Sequence, residues 1–209
     1  MMRIERLAPA PDRAGRFTVV FEDGSVMRLY RQTVEDHGLY LGKELTEEEH
    51  DALLQDAGRM SARMRAVRIV SATNVSKRDL EERLVRKGED PSQARDAVHW
   101  MEDLRLVDDR ATAEQVVHSC INKGYGVARA KQALYEKKIP KEYWDDALSD
   151  YPDQSDKIGA FLRSRLDAES DQREVKRAVD ALLRRGHSYG AIRRVLDRLD
   201  LDTEELPEE

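Results

Sequence analysis

Apolar residues recur at helical spacing, three or four residues apart, in three separate stretches of the chain. Each stretch therefore places its apolar side chains on one face of a helix and leaves the opposite face polar. Such a pattern predicts helices that pack on one side. The apolar positions are Met60, Met64, Val67 and Val70 in the first stretch, Ala113, Val116, Val117, Cys120 and Ile121 in the second, and Ile158, Phe161, Leu162 and Leu166 in the third.

Each of these stretches is followed by a segment that repeats along the chain. Residues 80–101, 130–151 and 178–199 align without a gap at offsets of 50 and 48 residues. Self-similarity with a period of this size is typical of helical repeat proteins. We therefore predict three-helix units in tandem, which form an elongated, curved monomer with a long concave surface. Equivalent core positions hold Leu84, Leu134 and Leu182.

Capping residues mark the ends of the predicted helices. Asp90 precedes Pro91, and Ser188 stands at the equivalent turn of the third unit. Both residue types accept hydrogen bonds from the free N–H groups of a first helical turn. Gly88 and Gly186 follow a helix end, where a left-handed backbone is common. The second unit has Lys138 at this place, so its turn is open to a different conformation.

The N-terminal part of the chain has another pattern. Two β-prone runs within residues 17–30 flank Asp23-Gly24, a strong hairpin signal, and residues 2–7 are a candidate third strand. A helix is predicted over residues 46–58, with Thr46 and Glu49 forming a capping box. The fold class is thus mainly α, with a small N-terminal β-hairpin unit. The predicted divisions are 1–58 (hairpin and helix), 59–108, 109–153 and 154–200 (three-helix repeats) and 201–209 (acidic tail).

The segment Gly124-Tyr125-Gly126 lies between the first and second helices of the second unit. A Gly-x-Gly beside basic residues can cradle a phosphate, but that motif needs a preceding strand and further glycines or a Gly-Lys-Ser/Thr. Neither is present in the sequence around it. The favoured interpretation is a turn, in which Gly124 ends one helix and Gly126 begins the next.

Charge is distributed unevenly along the 209 residues. The net charge is −6, yet residues 154–200 carry 11 basic and 8 acidic side chains, whereas the tail carries five acids and no base. A globally acidic chain is not built to bind polyanions, but one local basic region is compatible with this distribution. No apolar run is long enough for a leader or a membrane span, so we expect a cytoplasmic protein without membrane contact.

Candidate chemical groups are sparse. Cys120 is the single cysteine and lies within an apolar stripe, which favours a core position over a nucleophile. The five histidines show no ligand spacing on one helix, and Asp108-Asp109 are interpreted as a helix cap and first turn rather than as a metal or acid–base pair. We therefore expect no catalytic residues, no metal and no cofactor.

An ordered set of motifs resembles a known family. The motifs are LRLVDD at 104–109, KGYG at 123–126, KKIP at 137–140 and RGHSY at 185–189. Together they are similar to the RecX regulatory proteins of bacteria, modulators of the RecA recombinase, over residues 60–200. The resemblance implies a non-enzymatic protein that lodges in the groove of the RecA–single-stranded-DNA filament. It also implies inhibition of the filament's ATPase, of strand exchange and of repressor cleavage.

Two departures from the family pattern concern packing. Family members usually carry an aromatic residue at the place of Thr112, and often a phenylalanine at the place of His187. The first change predicts a different local core in the second unit. The second predicts a weaker apolar anchor at its turn.

Two basic segments are candidates for the contact with the partner. In the third unit Arg193, Arg194 and Arg198 point away from the apolar stripe, but a merely solvated face is an equally good interpretation. An alternative function is a helical module that binds DNA directly, since three-helix units resemble helix-turn-helix domains; the net charge favours at most weak autonomous binding to single-stranded DNA. The candidate partner-binding residues are Lys123, Tyr125, Arg129, Lys131, Arg184, Arg185, Arg193, Arg194 and Arg198.

Overall fold

The computed structural model describes residues 1–12, 15–167 and 169–199. The chain separates into two compact units. The first unit is Met1–Val107, and the second unit, which contains both the second and the third three-helix repeats, begins at Asp108. The acidic tail predicted at 201–209 lies outside the described residues. The predicted fold class, mainly α with a small N-terminal β-hairpin unit, is confirmed.

The N-terminal hairpin belongs to a four-stranded antiparallel sheet with the order β3-β2-β1-β4. Gly24, with φ 82°, makes the turn between β2 and β3, as the Asp-Gly pair predicts. The candidate third strand is β1. The strands are β1 (Met2–Pro9), β2 (Arg16–Phe21), β3 (Val26–Tyr30) and β4 (Glu44–Leu45), and a short helix, α1 (Arg31–Asp36), follows β3.

One long helix, α2 (Glu47–Ala72), follows the sheet. It begins with the predicted capping box: Thr46 accepts from the N–H of Glu49, and Glu49 accepts from the N–H of Thr46. The prediction that this helix stops at residue 58 is wrong. Gly58 lies within the helix, and its lack of a side chain leaves room for Gln93, whose Cδ is 2.6 Å from the place where a Cβ would lie.

Helix α2 therefore serves two cores. Leu53, in its first half, packs with Ile4 and Phe21 of the sheet. Ala62 and Ala66, in its second half, pack in the core of the first repeat. The N-terminal unit and the first repeat share this helix, and we retain the residue ranges of the three repeats as a proposed division.

Each repeat consists of three helical segments. In the first repeat, α2 packs with α3 (Lys77–Arg86) and α4 (Pro91–Asp103). Side chains cap the helices as predicted, since Asp90 accepts from the N–H groups of Ser92 and Gln93. The second repeat contains α5 (Asp109–Asn122), α6 (Val127–Glu136), a 3₁₀ turn (Lys141–Tyr143) and α7 (Trp144–Leu148), and the third contains α8 (Ser155–Arg163), α9 (Gln172–Arg184) and α10 (Tyr189–Arg198).

The aligned leucines occupy equivalent places in the three cores. Leu84, Leu134 and Leu182 are each fully buried. The second core is the smallest of the three, and Trp144 is only half-buried at its edge, where its Nε1–H donates to the carbonyl of Ile139 at 3.0 Å. A short α7 thus completes the second repeat, whereas longer helices close the other two.

The turn after each aligned leucine has one conformation in all three repeats. Gly88, Lys138 and Gly186 have φ values of 91°, 56° and 85°, so each adopts the left-handed backbone that ends a helix. Lys138 does so although it carries a side chain, because the hydrogen bonds of the turn hold it there. The carbonyls of Leu84, Leu134 and Leu182 each accept from the N–H five residues later, at 3.1, 3.1 and 3.2 Å.

Replacing Lys138 with glycine is expected to stabilise the second unit by about 0.5–1 kcal/mol, because relief of the left-handed backbone outweighs the greater freedom of glycine in the unfolded chain. Urea denaturation of the full chain measures this change. The matched control is Lys137→Gly, at a φ of −82°. That variant should lose stability, and equal midpoints for the two variants would contradict the assignment of strain to Lys138.

Candidate partner-binding site

The second and third repeats meet where the start of α6 abuts the turn between α9 and α10. The N–H of Gly126 donates to the carbonyl of Arg185 at 2.9 Å, and the N–H of Ala128 donates to the carbonyl of Gly186 at 3.3 Å. The first N–H groups of a helix have no partner within the helix, and neither do the last carbonyls. Here the free donors of α6 bind the free acceptors that follow α9. We call this contact the inter-repeat joint.

Two glycines permit the close approach at the inter-repeat joint. A Cβ on Gly126 would overlap the carbonyl group of Gly186 and lie 2.5 Å from the amide nitrogen of His187. A Cβ on Gly186 would lie 2.6 Å from the Cβ of Arg129. Both positions therefore need glycine for packing, in addition to the positive φ at Gly186.

Two side chains tie the preceding turn to the joint. The Nε2–H of His187 donates to the carbonyl of Gly124 at 3.0 Å, and the hydroxyl of Tyr151 donates to the carbonyl of Tyr125 at 2.7 Å. Burial raises the pKa of Tyr151 to about 12. The sequence Gly124-Tyr125-Gly126 thus forms a turn whose polar backbone atoms bind other parts of the protein, as the favoured interpretation predicts.

His187 combines burial with a hydrogen bond. Only 7% of its surface is exposed. Burial lowers the pKa of the imidazole; the hydrogen bond to Gly124 acts in the opposite direction, and the charge of Arg185 adds to the lowering. The weaker apolar anchor stays a prediction, and the ring adds a polar contact with the carbonyl of Gly124.

Acid should destabilise the second unit through His187. Because its pKa is lower in the folded chain, the unfolded chain takes up the proton first. The stabilisation that the neutral imidazole of His187 provides is complete above its pKa in the unfolded chain, about 6.5. It is lost as the pH falls through the lower pKa of the folded chain. We expect the urea midpoint of the parent to fall more steeply from pH 7.5 to pH 5 than that of His187→Phe. Parallel curves would contradict this, and His118→Phe, at an exposed position, is the control.

The inter-repeat joint creates a basic cleft beside it. Tyr125 and Arg129 reach this cleft from the second repeat, and Arg184 and Arg185 reach it from the third. These four residues were candidates from the sequence, where they lie in segments sixty residues apart. With three further lining residues they enclose a cavity of about 290 Å³, which we call the arginine cleft. Its lining is Tyr125, Arg129, Phe161, Arg165, Ala181, Arg184 and Arg185.

An aromatic ring organises two of the guanidinium groups in the arginine cleft. The guanidinium carbons of Arg165 and Arg185 lie 4.4 and 4.7 Å from the centre of the Phe161 ring. Cation–π attraction at this distance favours stacked, ordered side chains. No carboxylate among the described residues lies within ion-pair distance of Arg165, Arg184 or Arg185. The three charges are thus open to an anion from outside.

Arg129 is the one arginine of the cleft with a carboxylate partner among the described residues. Its two terminal nitrogens lie 3.0 and 3.4 Å from the two carboxylate oxygens of Glu136, a bidentate arrangement. This pairing lowers the pKa of Glu136 and raises that of Arg129. One arginine of the cleft lining therefore already binds a carboxylate in its fork.

The remaining candidate residues lie outside the arginine cleft. Lys131 lines a hollow on the other side of the joint, together with Tyr151 and Asp153. Lys123 lines a hollow beside α5. Three more arginines are exposed on α10, and two of them add to the effect of Ser155 in lowering the pKa of Asp153. The arginines of α10 are Arg193, Arg194 and Arg198.

Sequence reasoning missed Phe161 and Arg165. Phe161 belongs to the apolar stripe of the third repeat and was interpreted as core, whereas it is half-buried and also lines the cleft. Arg165 follows the end of α8 and has no special spacing. A signal was present in the excess of basic residues in 154–200, but it does not say which arginines converge.

The other predicted sites have ordinary structural roles. Asp108 caps α5 by accepting from the N–H of Ala111, as predicted. Cys120 is buried, and burial raises the pKa of its thiol, which agrees with a core position. The residues that the structure describes contain no group of three or more potential metal-ligating side chains. None of the described helices combines the length and the apolar character that a membrane span requires.

Comparisons with known proteins point to one family. The sequence model described as RecX, second three-helix domain, matches residues 108–148. A regulatory protein RecX of Clostridioides difficile is 25% identical over 190 residues, which cover 88% of this chain and 89% of that protein. The regulatory protein RecX of Halorhodospira halophila is 28% identical over 159 residues, which cover 74% of this chain and 99% of that protein.

Solved structures share the fold. A crystal structure of a regulatory protein RecX superposes with a TM-score of 0.66 at 19% identity, covering 94% of this chain and all of that one. The structure of RecX from Lactobacillus salivarius gives a TM-score of 0.61 at 22% identity, covering 68% of this chain and 97% of that one. Together with the sequence matches, these superpositions lead to one conclusion: the chain is similar to RecX regulatory proteins over most of its length and shares their fold.

Proposed function

We propose that this protein is a non-enzymatic regulator that binds the RecA–single-stranded-DNA filament and restrains its ATPase, strand exchange and repressor cleavage. The observation that carries the proposal is the set of exposed cationic side chains in the second unit, which the cores of the repeats do not use. Similarity to proteins described as regulatory proteins supports a regulatory role. Binding energy that is spread over repeated sites of a filament would let a small protein act as a clamp.

The arginines of α10 are the first test of this proposal. Arg193, Arg194 and Arg198 are exposed, whereas Ile192 and Leu196 on the same helix are buried. Neutralising the three arginines to glutamine should weaken inhibition of the RecA ATPase without unfolding the chain. The salt dependence should also become shallower, because exposed charges act over a Debye length of about 8 Å at physiological ionic strength. The matched control is Asp197→Asn on the same helix, which should preserve or strengthen inhibition.

The decisive experiment titrates the full chain against two targets, bare single-stranded DNA and the assembled filament, with ATP hydrolysis as the second readout. We expect the filament to bind more tightly than bare DNA, because a chain of net charge −6 has little affinity for a polyanion by itself. Equal binding to both targets would favour the alternative, a helical module that acts on DNA directly. No effect on ATP hydrolysis at saturating binding would contradict the proposed inhibition.

A further inference from the structure

From the arginine cleft we infer that this protein recognises an acidic peptide segment of its partner, whose carboxylates bind Arg165, Arg184 and Arg185 between the second and third repeats. Only the identity of that partner rests on the proposed function. The recognition chemistry rests on the geometry of the cleft itself. The inference also predicts which residues of the chain contribute most to binding, and they differ from the arginines of α10.

The first argument is the arrangement of the guanidinium groups. Arg165 and Arg185 are both stacked on Phe161, so part of the conformational entropy of binding has been lost before a ligand arrives. A guanidinium presents parallel N–H donors that fit the two oxygens of a carboxylate. Arg184, on the same turn as Arg185, adds a third charge to the cleft. The cleft therefore has preformed donors for more than one carboxylate.

The second argument is the carboxylate that Arg129, one of the lining residues, already binds. Glu136 binds Arg129 in the bidentate manner, at 3.0 and 3.4 Å. A glutamate carboxylate is thus a ligand that an arginine of this lining binds in good geometry. Glu136 also leaves Arg129 largely neutralised, so the open charges belong to the third repeat. An incoming carboxylate would compete with Glu136 for Arg129.

The third argument separates an acidic peptide from a nucleic acid. Proteins that bind single strands offer aromatic faces on which bases stack, beside a long basic groove that follows the backbone. Here two guanidinium groups lie over the ring of Phe161, and the cavity of about 290 Å³ is a short recess. A short acidic peptide fits these features better than a DNA strand does.

The test measures binding of two probes to the full chain by isothermal titration calorimetry, at equal and low ionic strength. One probe is hexaglutamate, and the other is an oligothymidylate with a similar number of charges. The double variant Arg165→Gln, Arg184→Gln should bind hexaglutamate about tenfold more weakly, since two charge-assisted contacts are lost. The control Arg173→Gln removes an exposed charge at the start of α9, outside the cleft lining, and should bind like the parent. Thermal unfolding verifies that both variants remain folded.

A second variant should change the affinity for hexaglutamate in the opposite direction. Glu136→Gln frees Arg129 and should bind hexaglutamate severalfold more tightly than the parent. The control for general charge is Glu142→Gln, an exposed acid outside the cleft, which should have little effect. Unchanged hexaglutamate affinity in both cleft variants would overturn the inference. The inference would also be overturned if the parent bound the oligothymidylate more tightly than hexaglutamate and the double variant lost that binding. The cleft would then be a phosphate site.

The filament provides a separate arm. A parent chain that binds hexaglutamate through the cleft but does not bind the RecA filament would contradict the proposed function and leave the cleft as an acidic-peptide site. The opposite outcome is that the parent binds the filament but both cleft variants bind the filament and hexaglutamate as the parent does. That outcome would leave the proposed function intact and refute the inference. The two failures are therefore distinguishable.

Discussion

Replacing Gly186 with alanine is expected to destabilise the second unit by about 3 kcal/mol or more, through overpacking and backbone strain together. The new Cβ would lie 2.6 Å from the Cβ and 2.9 Å from the Cα of Arg129. Backbone atoms of a helix cannot move away cheaply, so the inter-repeat joint would have to open. Opening it would also break the hydrogen bond from Gly126 to Arg185.

The matched control for this prediction is Gly88→Ala. Gly88 occupies the same turn of the first repeat with a φ of 91°, but a Cβ there would have nothing within 4 Å. Replacing Gly88 should lower the free energy of unfolding by about 1–2 kcal/mol, through the strain of a left-handed backbone alone. The two free energies of unfolding are measured by urea denaturation. Their difference gives the energetic cost of placing a Cβ in the close contact at the inter-repeat joint. Equal costs would mean that Gly186 is needed for its φ alone.

The joint also links stability to recognition. It holds Tyr125 and Arg129 of the second repeat against Arg184 and Arg185 of the third, so the arginine cleft exists only while the joint is closed. The segments Gly124-Tyr125-Gly126 and Arg185-Gly186-His187 therefore act first as packing elements. Their contribution to binding is to position charged side chains that neither segment could bring together alone.

Local signals in the sequence were sufficient for most of the helices. Thr46, Asp90, Asp108 and Ser188 each accept a backbone N–H at the start of a helix, as their chemistry predicts. The period of the apolar pattern identified the repeat, because a buried leucine must return at the same place in each unit. The Asp-Gly turn predicted the hairpin. These features depend on residues that are close in the chain.

Features that depend on distant residues could not be predicted in the same way. Gly58 ends the helix predicted from the sequence, whereas in the fold it lies within α2 and against the side chain of Gln93. The left-handed backbone of Lys138 is imposed by the hydrogen bonds of its turn, although its own preference opposes it. The convergence of Arg165 with Arg184 requires the stacking of two repeats on each other. In each case a contact across the fold overrides or completes the local preference.

Replacing Leu134 with alanine is expected to destabilise the second unit by about 2–5 kcal/mol, through the lost burial and the cavity left behind. Leu134 is fully buried in the smallest of the repeat cores, where the other buried residues are Ala113, Val117 and Ile139. Because few buried side chains surround Leu134, they can fill the resulting cavity only in part. Leu182→Ala should fall within the same range, because its position in the third repeat is equivalent.

The neighbouring residues provide controls on the same helices. Tyr135 is 67% exposed and Leu183 is 40% exposed, although each adjoins one of the buried leucines. Tyr135→Ala should change the free energy of unfolding by about 0.5 kcal/mol or less, and Leu183→Ala by little more, since neither leaves a buried cavity. Urea denaturation of the four variants therefore tests the register of the repeat directly. If the exposed and the buried positions cost the same, the alignment of the second and third repeats on the first would be off by one residue.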